Sequence, residues 1–413
     1  MFNFLKQEIM KKLLLLGPIA VLALASCSND EQIAQSPALN AQELTIRPVV
    51  EGATRTVITD ADFNEFTLEA TMDGAYKFWK GNGTTPPTDG TLGAAASLTG
   101  IAKKTGGKWE TIIKDNETDA TPWYWESKNA KASFLGYNAS GDITVNQTQA
   151  EQKDVLVAYN YGQASTFENG VPMFFRHVMS QIVIKADNKD ADIRVIKVAG
   201  IRLHNIGNKN TLTLPNSETT ADKFKWFDGT DGYKPWANDP AVSTKTKYTY
   251  YKKALSGSDV DTDGGFVTLN PTAQDITFGG ALLLLPQNVA AATDLSTEGA
   301  ENKAYFDVLI QVQDSEADQT SADAAIFPEA TSATNQKFAW AAVPVEIAWK
   351  PGYKYTYIFH FSKDGIGKES PDGGAGGEEP VNPGEEILDS PVPLTFTVII
   401  DEWNDAANTE KDL

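Results

Sequence analysis

The sequence predicts an all-β protein arranged as two antiparallel β-sandwich domains in tandem, and three observations carry that prediction. Short runs rich in β-branched and aromatic residues recur at alternate positions, clusters of Gly, Asn, Asp and Pro break them, and no 3.6-residue period persists over a helix length. Parallel α/β sheets need crossover helices, so the missing helical period leaves stacked antiparallel sheets. In chain order, strands are expected at 43–50, 63–70, 76–80, 109–113, 132–137, 154–159 and 181–186. A second set is expected at 193–203, 211–214, 247–252, 266–269, 281–285, 304–313, 339–347, 354–361 and 394–400. A length of 413 residues fits two domains, here placed at 43–175 and 176–413 with the junction near Pro172 to His177. Residues 364–389 hold seven glycines and three prolines and offer little apolar surface. They read as a flexible tether that carries a terminal strand at 393–401.

Composition narrows the function classes. With 41% hydrophobic and 10% aromatic residues the chain can bury a core, and 22% charged residues is ordinary for a folded protein. A net charge of −20 without a Lys/Arg cluster argues against nucleic acid as a partner, because phosphate binding depends on basic side chains. One cysteine makes no internal disulfide and no Cys-rich zinc framework. The three histidines, His177, His204 and His360, are too scattered along the chain to suggest a metal site.

The amino terminus reads as an export signal. Residues 13–25 are apolar, follow Lys11 and Lys12, contain Gly17 and Pro18, and are too short to span a bilayer, which marks 1–26 as a signal peptide. Met10 is a better-placed start than Met1. Leu24-Ala25-Ser26-Cys27 has the form of a lipobox and is similar to the bacterial lipoprotein processing site, where a thioether joins the cysteine to diacylglycerol. Several acyl chains hold a protein stably where one holds it marginally. Ser28-Asn29-Asp30-Glu31 is similar to an acidic signal for the outer face of the outer membrane, and it reads equally well as the start of a polar leader over 27–42.

No catalytic or cofactor-binding constellation stands out. The sequence has no Gly-x-Ser-x-Gly elbow, Walker loop, His-Glu-x-x-His helix or dinucleotide fingerprint, and its many carboxylates define no particular pair. Phe174-Phe175-Arg176-His177-Val178 suggests a structural histidine at a turn. Asp259, Asp261, Asp263 and Gly264 match the opening of a calcium loop, but Asn270 stands where that loop needs a bidentate carboxylate, so a solvated turn is preferred and no metal is assigned. In Trp123-Tyr124-Trp125 the two indoles share one strand face, which fits a core pair better than a sugar-stacking platform. A different class of function, a non-polymerising surface lipoprotein that binds glycans, would use exposed aromatics such as Trp226 or Trp236.

Taken in order, the motifs resemble those of the fimbrillin family of surface lipoproteins. They are the lipobox, Thr54-Arg55-Thr56, Trp123-Tyr124-Trp125 with Phe134-Leu135-Gly136-Tyr137, and Phe175-Arg176-His177 before an alternating strand. The runs from Trp349 to Tyr357 and from Phe396 to Asp405 resemble the family's closing strands. The resemblance implies a type V pilus subunit of two transthyretin-like sandwiches, located at the cell surface and held to the outer membrane by its lipid. It further implies cleavage by an arginine-specific protease after the first strand. The groove so opened is filled by a strand from another fimbrial subunit. Contact with a host or bacterial surface ligand is also implied.

On the residues themselves, 43–50 is strand-like and Glu51-Gly52-Ala53 turn-like, which makes the following stretch open to proteolysis. Arg55 is the favoured processing residue because cutting there frees the whole segment, whereas Arg47 lies within it; Arg55 as a plain surface residue is the competing reading. Leu394, Phe396, Val398 and Ile400 alternate and form the expected groove-filling face of a donor strand. The Gly-rich insertion before them departs from the family pattern of a short turn, and a strand that folds back permanently would suit a tip or anchor subunit. Mass spectrometry of the mature protein shed from cells is expected to read the amino terminus as acylated Cys27 or, after processing, free Thr56. Any other terminus contradicts this reading.

Overall fold

The computed structural model describes residues 42–50, 63–81, 87, 89–105, 108–109, 121–215, 232–253, 265–296, 302–315, 325–329, 338–373, 379–388 and 392–403. Cys27, Arg55, Trp226 and the Asp259–Asp263 run lie outside the described residues. The fold is all-β, with short 3-10 turns and no α-helix among the described residues. None of the described helices is long and apolar enough to cross a membrane.

Two sheets and one apolar core come from the first part of the chain. A seven-stranded sheet runs in the order Ile46–Val50, Val171–His177, Leu156–Gln163, Lys131–Tyr137, Glu65–Asp73, Ser97–Thr105, Lys108–Trp109. The shorter sheet runs Gln42–Glu43, Trp123–Trp125, Phe78–Lys80, Ala94–Ala95. Alternation in Glu65–Asp73 places Phe66, Leu68, Ala70 and Met72 inside. Trp125 and Phe78 pack on Phe134, with ring centroids 5.6 and 6.5 Å apart. The Trp123 and Trp125 indoles are therefore core, as the face argument indicated. Gly136 is required where it stands, because a Cβ there would lie 2.8 Å from the Phe175 ring.

A second pair of sheets follows. One contains Gln274–Asp275, Ser180–Asn188, Tyr353–Phe361 and Thr395–Glu402 in that order, with Leu282–Leu284 also on Ser180–Asn188. The other contains Lys245–Tyr251, Arg194–Gly207, Tyr305–Asp314, Ala339–Pro344 and Lys368–Glu369. Phe306 packs edge-on against Tyr357 at 5.1 Å, joining the two layers. Most pairings are antiparallel, but Ile46–Val50 runs parallel to Val171–Phe175, and Gln181–Asn188 parallel to Lys354–Phe361. Both are long-range closures that no hairpin can make.

The central strand Tyr305–Asp314 is buried on both faces. Phe306, Val308, Ile310 and Val312 face the core; Tyr305, Asp307, Leu309, Gln311 and Gln313 point the other way and are covered too. Leu309 sits with Phe338, Trp340 and Ala199, and Tyr305 with Ala292, Leu295 and Ala342. The polar members are bonded: Lys197 Nζ donates to Gln311 at 3.2 Å and Gln313 at 2.9 Å, and Ser370 Oγ donates to Asp307 at 2.9 Å.

This cover corrects the expected tether at 364–389. Ile366, Ser370 and Asp372 are buried, and Ile387 and Leu388 pack against the core. Arg202 donates through Nη1 to the carbonyls of Asp372 and Gly373, both at 2.8 Å, while its guanidinium lies 3.7 Å over the Trp340 ring. Asp372 also meets the Arg202 guanidinium at 3.4 Å and the Lys247 ammonium. Glu369 takes the N–H groups of Val381 and Asn382 at 2.5 and 2.9 Å, so the far arm of the loop folds back on the near one. A composition rule counts apolar surface, whereas here glycine backbone open to approach is held by charge-assisted hydrogen bonds. Arg202→Met is expected to lower unfolding stability by about 1 to 3 kcal/mol, since it leaves the Asp372 and Gly373 carbonyls without their donor while Lys247 still meets the Asp372 carboxylate. Denaturant titration checks this, and a change within error would contradict the clamp.

Candidate functional site

The two terminal strands form the candidate site, because each closes one edge of a sheet. Ile46–Val50 lies at the end of its sheet, in register from Val171 opposite Ile46 to Phe175 opposite Val50. Leu44 and Ile46, 1% and 2% exposed, enter the core beside Phe63 and Phe175. Pro48 lacks an N–H, which an edge strand tolerates and a central strand does not. Gly170, at φ +89°, brings the preceding turn against Thr45; a Cβ there would be 3.0 Å from the Thr45 hydroxyl oxygen. Arg47 is exposed, but its backbone is paired opposite Pro172.

Thr395–Glu402 closes the other edge, pairing antiparallel with Tyr353–Phe361 over eight residues. Leu394 is buried, and Phe396 lies 6.2 and 5.8 Å from the Tyr357 and Phe359 rings. Val398 is half-buried, whereas Ile400, opposite Tyr355, is 57% exposed. The Tyr355 hydroxyl accepts from the Lys350 N–H at 2.9 Å and donates to the Ala348 carbonyl at 3.0 Å, so the apolar cover of this row ends at Val398. Ile399 is exposed on the opposite face of the strand.

Trp403 anchors the end of that strand. Its ring is buried and stacks on His177 with centroids 4.0 Å apart and planes 7° from parallel. The Trp403 backbone N–H donates to the Gly352 carbonyl at 2.7 Å, and the Gly352 N–H in turn donates to the Met179 carbonyl at 2.9 Å. His177 Nδ1 lies 2.5 Å from the Asp154 carboxylate, with both side chains out of solvent. A structural histidine was expected at this position; its carboxylate and indole partners lie far away in sequence. His360 adds a second tie, with Nδ1 3.0 Å from Asp187 and Nε2 2.9 Å from the Thr397 hydroxyl.

The run from Trp349 to Tyr357 has a clear local purpose. Trp349 donates its indole N–H to the Tyr357 hydroxyl at 2.9 Å, and Gly352, at φ +74°, makes the turn. Burial holds the Tyr357 and Tyr248 hydroxyls well above the ordinary tyrosine range. The third histidine, His204, lies 2.7 Å from Asp307 and stacks on Tyr305 at 4.0 Å. Ser370 donates to the same Asp307 oxygen rather than to the imidazole, so this Ser-His-Asp group is wired in the wrong order to activate a nucleophile. Among the described residues, no cluster of three or more His, Cys, Asp or Glu is placed to hold a metal. The Trp236 ring is 9% exposed and its N–H is spent on the Val178 carbonyl at 2.6 Å, which corrects the expectation that it is an exposed stacking platform.

These features define an all-β protein whose first and last described long strands each close a sheet edge. A family profile described as fimbrillin-like matches residues 54–373, and the chain belongs to that family. On that footing it is a fimbrial protein of the cell surface. Among solved structures it is similar to a fimbrial protein from Bacteroides vulgatus, at 13% identity and a TM-score of 0.43, covering 87% of this chain and 99% of that one. It is also similar to a protein assigned to cell adhesion from Bacteroides ovatus, at 14% identity and a TM-score of 0.37, covering 88% and 98%. No curated protein matches the chain.

Trp403→Ala is expected to cost about 3 to 5 kcal/mol locally. Hydrogen exchange should then quicken in Thr395–Glu402 and leave Tyr305–Asp314 unchanged. Equal acceleration in both strands would contradict an anchoring role confined to the terminal strand.

Proposed function

We propose that this protein is a structural or adhesive subunit of type V fimbriae, exported as a lipoprotein on Cys27 and assembled by strand exchange after its first strand is removed. In this reading 43–175 and 176–413 are its two sandwich domains. The observation that carries the proposal is the position of the segment 42–50: Ile46–Val50 lies on the edge of one sheet with one neighbour there, Gln42–Glu43 lies on the edge of the shorter sheet, and Leu44 and Ile46 are seated in the core. Removing such a strand leaves the rest of the sheet intact but bares the backbone of Val171–His177 and an apolar slot. A strand from another fimbrial subunit is the natural replacement, because backbone pairing supplies affinity and alternate side chains supply fit.

Processing is assigned to an arginine-specific protease acting at Arg55. At Arg47 the backbone is already paired within the sheet, and the bond that follows it, to Pro48, is a tertiary amide without an N–H. Leu394, Phe396 and Val398 give the terminal strand the apolar spacing of a donor, with Ile400 completing the row in sequence. The ties made by Trp403 and His360 hold that strand on its own sheet, which favours a tip or anchor position, with the lipid holding the subunit at the outer membrane.

Arginine-specific proteolysis of the purified precursor is expected to give a new amino terminus at Thr56 and a ladder of polymers on native gels. A cleaved chain that stays monomeric at high concentration rules out assembly by this route.

A further inference from the structure

A cleft of about 570 Å³ opens in the carboxyl-terminal part, between the loop at 233–239, the turn at 286–288 and the corner at 349–353. Its size is that of ligand sites in general. The walls are tied together before any ligand arrives. Gln287 and Trp349 exchange backbone hydrogen bonds at 3.1 and 2.9 Å, and the Gln287 amide donates to the Gly207 and Leu285 carbonyls. Both indole N–H groups in the lining, those of Trp236 and Trp349, are already engaged inward. A cavity so fixed loses little entropy on binding.

The groups left over define the ligand. The Lys234 and Lys350 ammonium groups are exposed in the lining and have no partner among the described residues; the Tyr353 hydroxyl and the Asn238 side-chain amide have none either. The one carboxylate of the lining, Asp239, is occupied, accepting from the Asn288 N–H at 2.8 Å and from its side-chain amide at 3.2 Å. Two cations without an ion-pair partner among the described residues therefore share a cleft with one hydrogen-bonded carboxylate, so the lining is net positive on a chain of net charge −20, where most of the surface repels anions. Half-buried Tyr233 and Tyr353 add rings with an apolar face and a polar rim, which suit the C–H face and hydroxyl edge of a pyranose.

We propose that this cleft binds an acidic saccharide, with Lys234 and Lys350 meeting the sugar carboxylate, Asn238 and the Tyr353 hydroxyl bonding ring hydroxyls, and the tyrosine faces carrying the ring. The site does not depend on strand exchange, so it is tested on the uncut monomer and its failure leaves the assembly reading untouched.

The probes are tetragalacturonate, maltotetraose as a neutral saccharide and tetraglutamate as an acidic peptide, each titrated calorimetrically into the full-length protein. Tetragalacturonate is expected to bind, to weaken as salt is raised, and to bind about tenfold more weakly to the Lys234→Ala/Lys350→Ala double variant, whose substitutions are on exposed side chains. Maltotetraose should bind more weakly than tetragalacturonate. Absence of tetragalacturonate binding, or unchanged binding by the double variant, overturns the site. Tetraglutamate binding as tightly as tetragalacturonate overturns the saccharide class, and maltotetraose binding as tightly overturns the acidic requirement.

Discussion

A β-sheet must end, and at its end a row of backbone N–H and C=O groups has no strand to meet. The organisation of this protein follows from how it meets that constraint. Of the two larger edges discussed above, one is closed by the first described segment of the chain, Ile46–Val50, and the other by the last, Thr395–Glu402. A strand in the middle of a sheet cannot leave without breaking two ladders; one at an edge breaks only one. Ile46–Val50 and Thr395–Glu402 each make one ladder in their own sheet, and Gln42–Glu43, on the same segment as Ile46–Val50, makes another to Trp123–Trp125. Tyr305–Asp314, paired on both sides and buried on both faces, supplies the fixed frame.

The two edges are not independent of the junction between the sheets. Trp403 reaches from the end of the terminal strand to stack on His177, which belongs to the strand beside Ile46–Val50. Asp154 completes the contact from the start of the next strand over. The terminal strand is thus secured by a ring contact, a buried pair and the His360–Thr397 bond, as well as by its own apolar row. On the far face of the second sandwich, Arg202, His204, Asp307, Ser370 and Asp372 do similar work for the Gly-rich loop. Buried charges need partners to offset lost hydration, and here the partners come from segments with little apolar surface of their own.

Much of the fold was legible in the sequence, because alternation is local. The strand at 304–313 and the core pair Trp123 and Trp125 could be read directly. What alternation cannot report is which strand pairs with which, so the two parallel closures were unreadable. Nor could it show that Tyr305–Asp314 is covered on both faces, since its polar residues read as a solvent face until Lys197 and Ser370 arrive from elsewhere. The described parts of 364–389 misled for a related reason: Asp372 and Gly373 are held by Arg202 and Lys247, far away in the chain, and the local composition holds no trace of them. Trp403 stood in a recognisable closing run, but nothing local marked it as an anchor. Trp236 showed the opposite error, since it reads as an exposed aromatic and is in fact packed.

The central claim is that the edge of Val171–His177 is an acceptor whose first occupant is the chain's own amino-terminal strand. The most direct test is to offer that occupant back. Protein cleaved at Arg55 and freed of its first strand is mixed with a synthetic peptide of residues 42–50, and its thermal midpoint and association state are measured. The account predicts that the peptide restores the midpoint of the uncut protein and suppresses association, and that a peptide with Leu44 and Ile46 replaced by Ser does neither. If the cleaved protein is indifferent to the native peptide, the edge is not the acceptor and the account fails.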